Sequence, residues 1–334
     1  DLRMSRGLGD VYKRQGVYGW WLVVCLWSLT ACSTITEELP LCEHYVAFRY
    51  DYNMKYADAF PVEVKKLTLY VFDEHDRLVT AFREERDRFG EGFRLPVRLP
   101  EGTYRLLVWA GLYDRSYDFT DSLVVGQTTP DELKVKVKRS EEGLRSTELD
   151  ALWHGEARLT VDDAVAQTTT VSLVKDTNKF RVVVQAAGGR SLQAADLHFS
   201  IWDDNGYLAA DNSLLKDTPI TYRPYVQRAE DLGESGQRGM MAVVAEMNTC
   251  RLMENKHPRL RISNRNGEEI VNIDLIKYLL LTKMEGHDMG AQEYLDRQDE
   301  YALIFFLSQD AFGHYMVVQI KVNGWIIRPQ SGDL

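Results

Sequence analysis

From Tyr45 onward the apolar residues come in short alternating runs, each closed by Gly, Pro, Asn or Asp. That punctuation restricts the chain to a mainly β architecture built from many short strands. Residues 64–72 form the first clear run. It ends at Asp73-Glu74-His75-Asp76, a turn, and 78–82 returns as a hairpin. Residues 93–99 lead into Pro100-Glu101-Gly102, after which 104–110 returns as an apolar, buried strand. Runs at 133–137, 157–161 and 168–174 follow. A second series starts after Lys175-Asp176-Thr177, with 180–185 and a turn at Gly188-Gly189. Two Asn-Gly pairs, Asn205-Gly206 and Asn266-Gly267, sit between strand-like runs and predict hairpins. The runs 240–247, 301–307 and 316–322 are further strands, and 325–328 extends an edge. Short helices are expected at 274–281, with Asp274 as N-cap, and at 292–297.

The chain has 334 residues, more than one hydrophobic core ordinarily uses, so two domains are expected. The break at Lys175-Asp176-Thr177 divides them into an N-terminal β-sandwich, 45–175, and a C-terminal one, 176–334. Its 45% hydrophobic and 27% charged residues are globular values. The formal net charge of −10 argues against nucleic acid and against electrostatic adhesion to an anionic membrane.

Membrane attachment must then be covalent or apolar, and the N-terminus offers both. Lys13 and Arg14 precede the apolar run 17–29, which is too short to span a bilayer comfortably as an uncleaved anchor helix. Leu29-Thr30-Ala31-Cys32 follows and resembles the bacterial lipobox. Small residues at 30 and 31 admit the chain to the lipoprotein signal peptidase, and the Cys32 thiol takes up diacylglycerol. Residues 1–31 are thus read as a signal peptide, its first residues possible artefacts of the gene model. Residues 32–44 are a lipidated polar leader, and the mature charge is near −12. Each buried acyl methylene adds about 0.8 kcal/mol of membrane affinity, so several chains hold firmly. Of the remaining cysteines, Cys42 and Cys250 are either a disulfide, expected in an oxidising compartment, or two buried thiols.

No catalytic residues are nominated. Asp73, Glu74, His75 and Asp76 have the oxygen density for a hard cation, but they stand where a hairpin must turn in solvent. Asp203, Asp204 and Asn205 echo the start of a calcium loop without its closing Glu, and are read in the same way. The seven histidines are scattered, and neither a zinc motif nor a phosphate loop nor a nucleophile elbow occurs. No metal and no cofactor are expected. Most of the seventeen Tyr and seven Trp belong to strand runs and are read as core.

Several segments together resemble the FimB/Mfa2 family of fimbrial anchor lipoproteins of Bacteroidales. They are Cys32-Ser33-Thr34-Ile35 through Glu37, Leu39 and Cys42; Phe48-Arg49-Tyr50-Asp51-Tyr52-Asn53-Met54; Ala57-Asp58-Ala59-Phe60; Leu69-Tyr70-Val71-Phe72-Asp73; Leu152-Trp153-His154-Gly155; Lys175-Asp176-Thr177-Asn178-Lys179; and Ile320-Lys321-Val322-Asn323-Gly324-Trp325 with Ile327-Arg328-Pro329-Gln330. The likeness spans essentially the whole mature chain. It implies two tandem transthyretin-like (Ig-like) β-sandwich domains in an outer-membrane lipoprotein that holds the base of a fimbria and limits its length. It also implies fimbrillin stalk subunits as partners, joined by donor-strand exchange in which a segment of one subunit adds to an open sheet of the next. An anchor keeps its lipidated N-terminus, so cleavage after Arg49 is not expected. The residues that bind the partner are not legible. Two other readings stand beside it: a surface glycan-binding lipoprotein of a polysaccharide-uptake system, with exposed aromatic platforms, and a secreted hydrolase.

The lipobox makes a direct prediction. Cys32→Ala is expected to abolish metabolic labelling with palmitate and to move the protein from the detergent phase to the aqueous phase in Triton X-114 partition.

Overall fold

The computed structural model describes residues 43–162, 166–186, 192–231, 241–283 and 288–327. The signal segment, Cys32, Cys42 and the Gly188-Gly189 turn lie outside these residues.

The N-terminal half opens with β1 (His44–Arg49), the single-turn helix α1 (Phe60–Glu63), β2 (Lys66–Phe72), β3 (Leu78–Glu85), β4 (Arg94–Val97) and β5 (Gly102–Ala110). Three short strands follow: β6 (Tyr117–Phe119), β7 (Val135–Val137) and β8 (Leu144–Arg145). Then come β9 (Trp153–Val161), β10 (Thr168–Ser172) and β11 (Val174–Lys175). An antiparallel sheet in the order β11-β9-β5-β2-β3 faces a small sheet β10-β1-β4, in which β1 runs parallel to β10 and antiparallel to β4. Val46, Phe48, Leu95, Val97 and Val171 of the small sheet meet Leu67, Leu69, Val71, Leu106, Val108 and Leu159 of the larger one. Phe60, Phe89 and Phe93 close one side of this core, with ring centroids 4.6 Å (Phe89–Phe93) and 5.1 Å (Phe60–Phe89) apart.

The β2–β3 hairpin forms as its sequence predicts, whereas β4 and β5 enter different sheets. In β4, buried Leu95 and Val97 alternate with exposed Arg94 and Pro96, a strand with one covered face. β5 is covered on both. Its Leu106 and Val108 lie in the first core, and its Leu107 and Trp109 lie in a second, larger core together with Tyr70 and Phe72 of β2. Double burial is why these segments read as unbroken apolar runs, LTLYVF and LLVWA.

The C-terminal half contains β12 (Thr177–Ala186), β13 (Leu197–Asp203), β14 (Tyr207–Leu208), β15 (Ile220–Tyr222), β16 (Val226–Asp231), β17 (Met241–Cys250), β18 (Arg259–Asn264) and β19 (Glu269–Asp274). The helices α2 (Leu275–Leu280) and α3 (Ala291–Arg297) come next. β20 (Glu300–Gln309), β21 (Tyr315–Val322) and β22 (Trp325–Ile327) complete it. A six-stranded sheet, β16-β17-β12-β20-β21-β22, packs on a five-stranded one, β19-β18-β13-β15-β8, and a third set pairs β14-β7-β6. Strands from the excursion 117–145 thus pair with strands beyond residue 200. Phe180, Val182, Leu303 and Phe305 face Phe199, Ile201, Leu260 and Ile262 in the larger core. Asp274 caps α2 as expected, its carboxylate accepting the Lys277 N–H at 3.2 Å.

Of the two Asn-Gly pairs, only one makes a hairpin. Asn264 to Gly267 joins β18 to β19: the Asn264 side chain accepts from the N–H groups of Asn266 and Glu268, and Gly267 has φ +82°. At Asn205-Gly206 the expectation fails, because β13 pairs with β15 and β18 while β14 pairs with β7. Asn205 is fully buried there. Its Nδ2 donates to the carbonyls of Cys250 and Arg251, both at 3.0 Å, and its Oδ1 accepts the Tyr222 hydroxyl at 2.7 Å. At Gly206 a Cβ would stand 2.9 Å from the Arg139 guanidinium. A side chain that serves turns in solvent here satisfies interior backbone.

The chain passes from one half to the other without a turn or bend, extended from Thr168 through β10, β11 and β12 to Ala186. Thr168 lies beside Tyr45 at the start of β1, and Ala186 lies beside Leu307 near the end of β20. At ~3.3 Å per residue these ends are roughly 60 Å apart along the strand. The start of β1 and the β20–β21 turn therefore occupy opposite poles.

Asn205→Ala removes partners from two buried carbonyls and a hydroxyl. It is expected to lower stability by about 2–4 kcal/mol in urea unfolding, with the slope unchanged.

Candidate functional site

The polar residues singled out by sequence do not converge. Asp73 accepts the N–H groups of His75 and Arg77, both at 2.9 Å, and Asp76 has φ +54°: this is a surface turn that uses its carboxylate on its own backbone. Asp203 corrects the reading of 203–205 as a second solvated turn. It is 2% exposed, its Oδ1 accepts the Asp204 N–H at 2.8 Å, and its Oδ2 has no partner. Burial pushes this carboxyl up to about 7. Only the neighbouring Asp204 reaches a cation, Lys256 at 2.8 Å. A carboxyl so placed is held neutral rather than offered to calcium. Among the described residues no group of three His, Cys, Asp or Glu side chains could hold a metal ion.

Cys250 is a buried free thiol near the end of β17, and burial pushes its pKa up, so it is a poor nucleophile. Its carbonyl accepts from Asn178 at 3.2 Å and from Asn205. The Cys42 of the expected pair lies outside the described residues. His154 packs against Trp109 at 4.7 Å, and its Nε2 lies 2.7 Å from the Ala210 carbonyl. Burial lowers its pKa to about 4 and keeps the ring neutral.

These buried groups belong to the junction between the halves. Asp176 is fully buried where the extended segment crosses. Its N–H donates to Leu152 at 2.7 Å and its Oδ1 accepts from Asn212 at 2.8 Å. Arg251 grips Asp296 of α3 through Nε at 2.9 Å and Nη2 at 2.8 Å, and lies 3.9 Å from Asp176. Lys175 reaches Glu63 of α1 at 2.8 Å and Asp299 at 2.6 Å, one acid from each half. Every charge here is turned on another part of the chain, as in a strut.

What remains for a partner is backbone and apolar surface. β1 occupies the centre of its small sheet, with Val46 and Phe48 buried, so the slot between β10 and β4 is filled by the chain's own strand. Beyond it, half-exposed Arg49 pairs with Asp51 at 2.9 Å. At the opposite pole the six-stranded sheet ends in β21 and the three-residue β22. There Phe312 is 87% exposed, Ile326 59%, Val318 52% and Met316 49%. Sequence reading took 316–322 as a strand and missed this surface. The signal was Met316-Val317-Val318, apolar on both faces of an edge strand.

The family model for fimbrillin-A associated anchor proteins Mfa1 and Mfa2 matches residues 39–331. The chain belongs to this anchor-protein family. Its members are fimbrial structural proteins, so this Mfa2-family chain is fimbria-associated. It is 22% identical over 327 residues to the minor fimbrium anchoring subunit Mfa2 of Porphyromonas gingivalis, covering 93% of this chain and 94% of that one. The crystal structure of that organism's Mfa2 shares the fold, with TM-score 0.66 at 20% identity over 86% of this chain and 99% of that one. A proposed polysaccharide-binding protein from Bacteroides thetaiotaomicron superposes with TM-score 0.77 at 38% identity, covering 88% of this chain and all of that one. A proposed adhesin from the same organism gives 0.75 at 33%, covering 87% and 99%.

The buried Asp203 yields a pH prediction. An unperturbed Asp titrates near 3.8, and in the folded protein this one titrates near 7. The native state holds the proton more tightly, so its contribution favours folding below pH 4 and is lost as pH rises through 7. Asp203→Asn should keep the acid-side stability and lack part of this decline. Its advantage over the parent, measured by urea unfolding at pH 4.5 and pH 8, is expected to grow at pH 8 by a few kcal/mol, on the order set by about 1.4 kcal/mol per pKa unit.

Proposed function

We propose that this protein is an outer-membrane lipoprotein, attached through Cys32, that anchors the base of a fimbria, limits its length and takes a donor strand from a fimbrillin stalk subunit. The observation that carries the reading is polarity. The leader enters at the start of β1, and the exposed apolar edge of β21 and β22 stands at the other end of an extended path of roughly 60 Å. A sandwich over 45–175 then faces the membrane and one over 176–334 faces the stalk. β1 is retained, since cleavage after Arg49 would both empty the small sheet and sever the fold from its lipid. On this reading the protein has no catalytic role.

A second reading, glycan binding at the surface, is favoured by the 38% identity to a proposed polysaccharide-binding protein and by an open cleft of about 520 Å³ that includes Tyr45, Phe82, Pro96 and Arg98. The Arg94 guanidinium already lies 4.0 Å over the Tyr45 ring, so that ring is not a free platform for sugar. The anchor reading is therefore preferred.

Immunoprecipitation of the protein from native outer membranes tests the choice. Fimbrillin-like subunits should co-purify, and Cys32→Ala cells should shed fimbriae into the medium. Electron microscopy of cells lacking the protein should show longer fimbriae. Recovery of polysaccharide or a transporter without any fimbrillin would replace the anchor reading with the glycan-binding one.

A further inference from the structure

The six-stranded sheet is unevenly finished at its C-terminal edge. β22 pairs only with residues 320–322 of β21. Over residues 315–319 the described partner of β21 is β20 alone, on one side. A half-paired strand presents N–H and C=O groups to any chain that can run alongside.

The side chains at this edge suit such a chain. Ile320 and Val322 are buried and Val317 packs on the core, so the inner face is complete. The register between β20 and β21 shifts where Phe306 faces Gln319 and Leu307 faces Val317, leaving Val318 as the extra residue of a bulge. Val318 and Met316 are exposed beside the half-paired stretch, Ile326 is exposed on β22, and Phe312 stands at the β20–β21 tip. Edge strands usually carry charge to repel another strand. The single charged residue of β21, Lys321, lies opposite Ile326 at the covered end, its amine 5.3 Å from the centre of the Phe306 ring.

We propose that the half-paired edge of β21 over residues 315–319, with Met316, Val318, Ile326 and Phe312 around it, seats an extended apolar segment of a stalk subunit as an added strand of the six-stranded sheet. The inference rests on the anchor reading and gives that reading a docking site. The membrane is excluded as occupant because the lipid-bearing leader joins the fold at the opposite pole. Main-chain hydrogen bonds to β21 supply affinity, and alternate side chains of the incoming segment cover Met316 and Val318.

The test uses the full lipoprotein in cells, with Met316→Glu and Val318→Glu combined. Both residues are half exposed, so lipidation and the unfolding midpoint are expected to match the parent. Capture of fimbrial subunits by immunoprecipitation is expected to fall at least tenfold, and the amides of residues 315–319 to exchange more slowly in the parent's complex than in the free protein. Undiminished capture by the double variant, with the parent capturing normally, overturns this inference and leaves the anchor reading standing. A parent that captures no fimbrial subunit defeats both. Loss of capture in a variant ending at Ile327, with the edge intact, assigns the contact to the C-terminal tail and overturns the proposal. So does concentration-dependent dimerisation abolished by the same two substitutions, which assigns the edge to a second copy.

Discussion

One uninterrupted extended segment, Thr168 to Ala186, belongs to both halves, and the rest of the molecule is arranged around its passage. Its first strand completes the sheet that holds β1, and its last strand is central to the six-stranded sheet. A chain that crosses between two cores must satisfy its backbone while out of water. Asp176 does so by donating its N–H to Leu152, and the β12 ladder takes over one residue later. Around the crossing, Lys175 joins Glu63 to Asp299, and Arg297 of α3 lies over the rings of Tyr52 and Tyr56 at 4.0 and 4.6 Å. The larger core adds Tyr70, Phe72, Leu107 and Trp109 from one half to Phe180 and Val182 from the other. A joint with continuous apolar packing and paired charges transmits force along the strand direction, as an anchor requires.

Much of this was legible in the sequence wherever one local rule acted alone. The β2–β3 hairpin, the Asn264–Gly267 turn, the Asp274 cap and the strands from β17 to β21 follow from alternation, turn chemistry and capping. Reading failed where a residue had a tertiary use. Asn205-Gly206 looks identical to a hairpin signal, yet Asn205 serves carbonyls of β17 and the loop after it, residues distant in sequence. Asp203 looks solvated because its neighbours are polar, yet it ends a strand whose Leu197, Phe199 and Ile201 are all buried. The excursion of β6, β7 and β8 into the second set of sheets left no local trace, since strands of two or three residues carry almost no pattern.

The polar interior explains why the candidate chemistry dissolves on inspection. A reactive centre needs groups that are partly exposed, mutually oriented and poised near neutral pH. Here perturbed groups are present, but they are enclosed. Asp176, Asp203, His154 and Cys250 are all shifted by burial in the direction that suppresses charge. Each is spent on backbone carbonyls, on an N–H, or on a neighbour across the joint. Arg251 and Asp296 form the tightest pair, and they tie α3 to the end of β17. Neutral acids and paired cations inside a β fold specify how two halves meet.

An edge as apolar as that of β21 needs its own physical account. A free strand edge with Met and Val beside it invites uncontrolled pairing, and proteins commonly blunt it with Lys, Pro or a cover. The other end of this molecule shows that protection: β1 is flanked on both sides, so no edge faces the membrane pole from the centre of its sheet. Sequence drift alone does not explain why the unprotected edge and four exposed apolar side chains gather at the single pole farthest from the leader. Retention of such a surface is consistent with a partner that covers it in the assembled state, and the direction of the extended segment says where that partner must come from. Lipid at one end and an unfinished sheet at the other give the chain a membrane side and a stalk side, and a terminal subunit of a polymer requires that asymmetry.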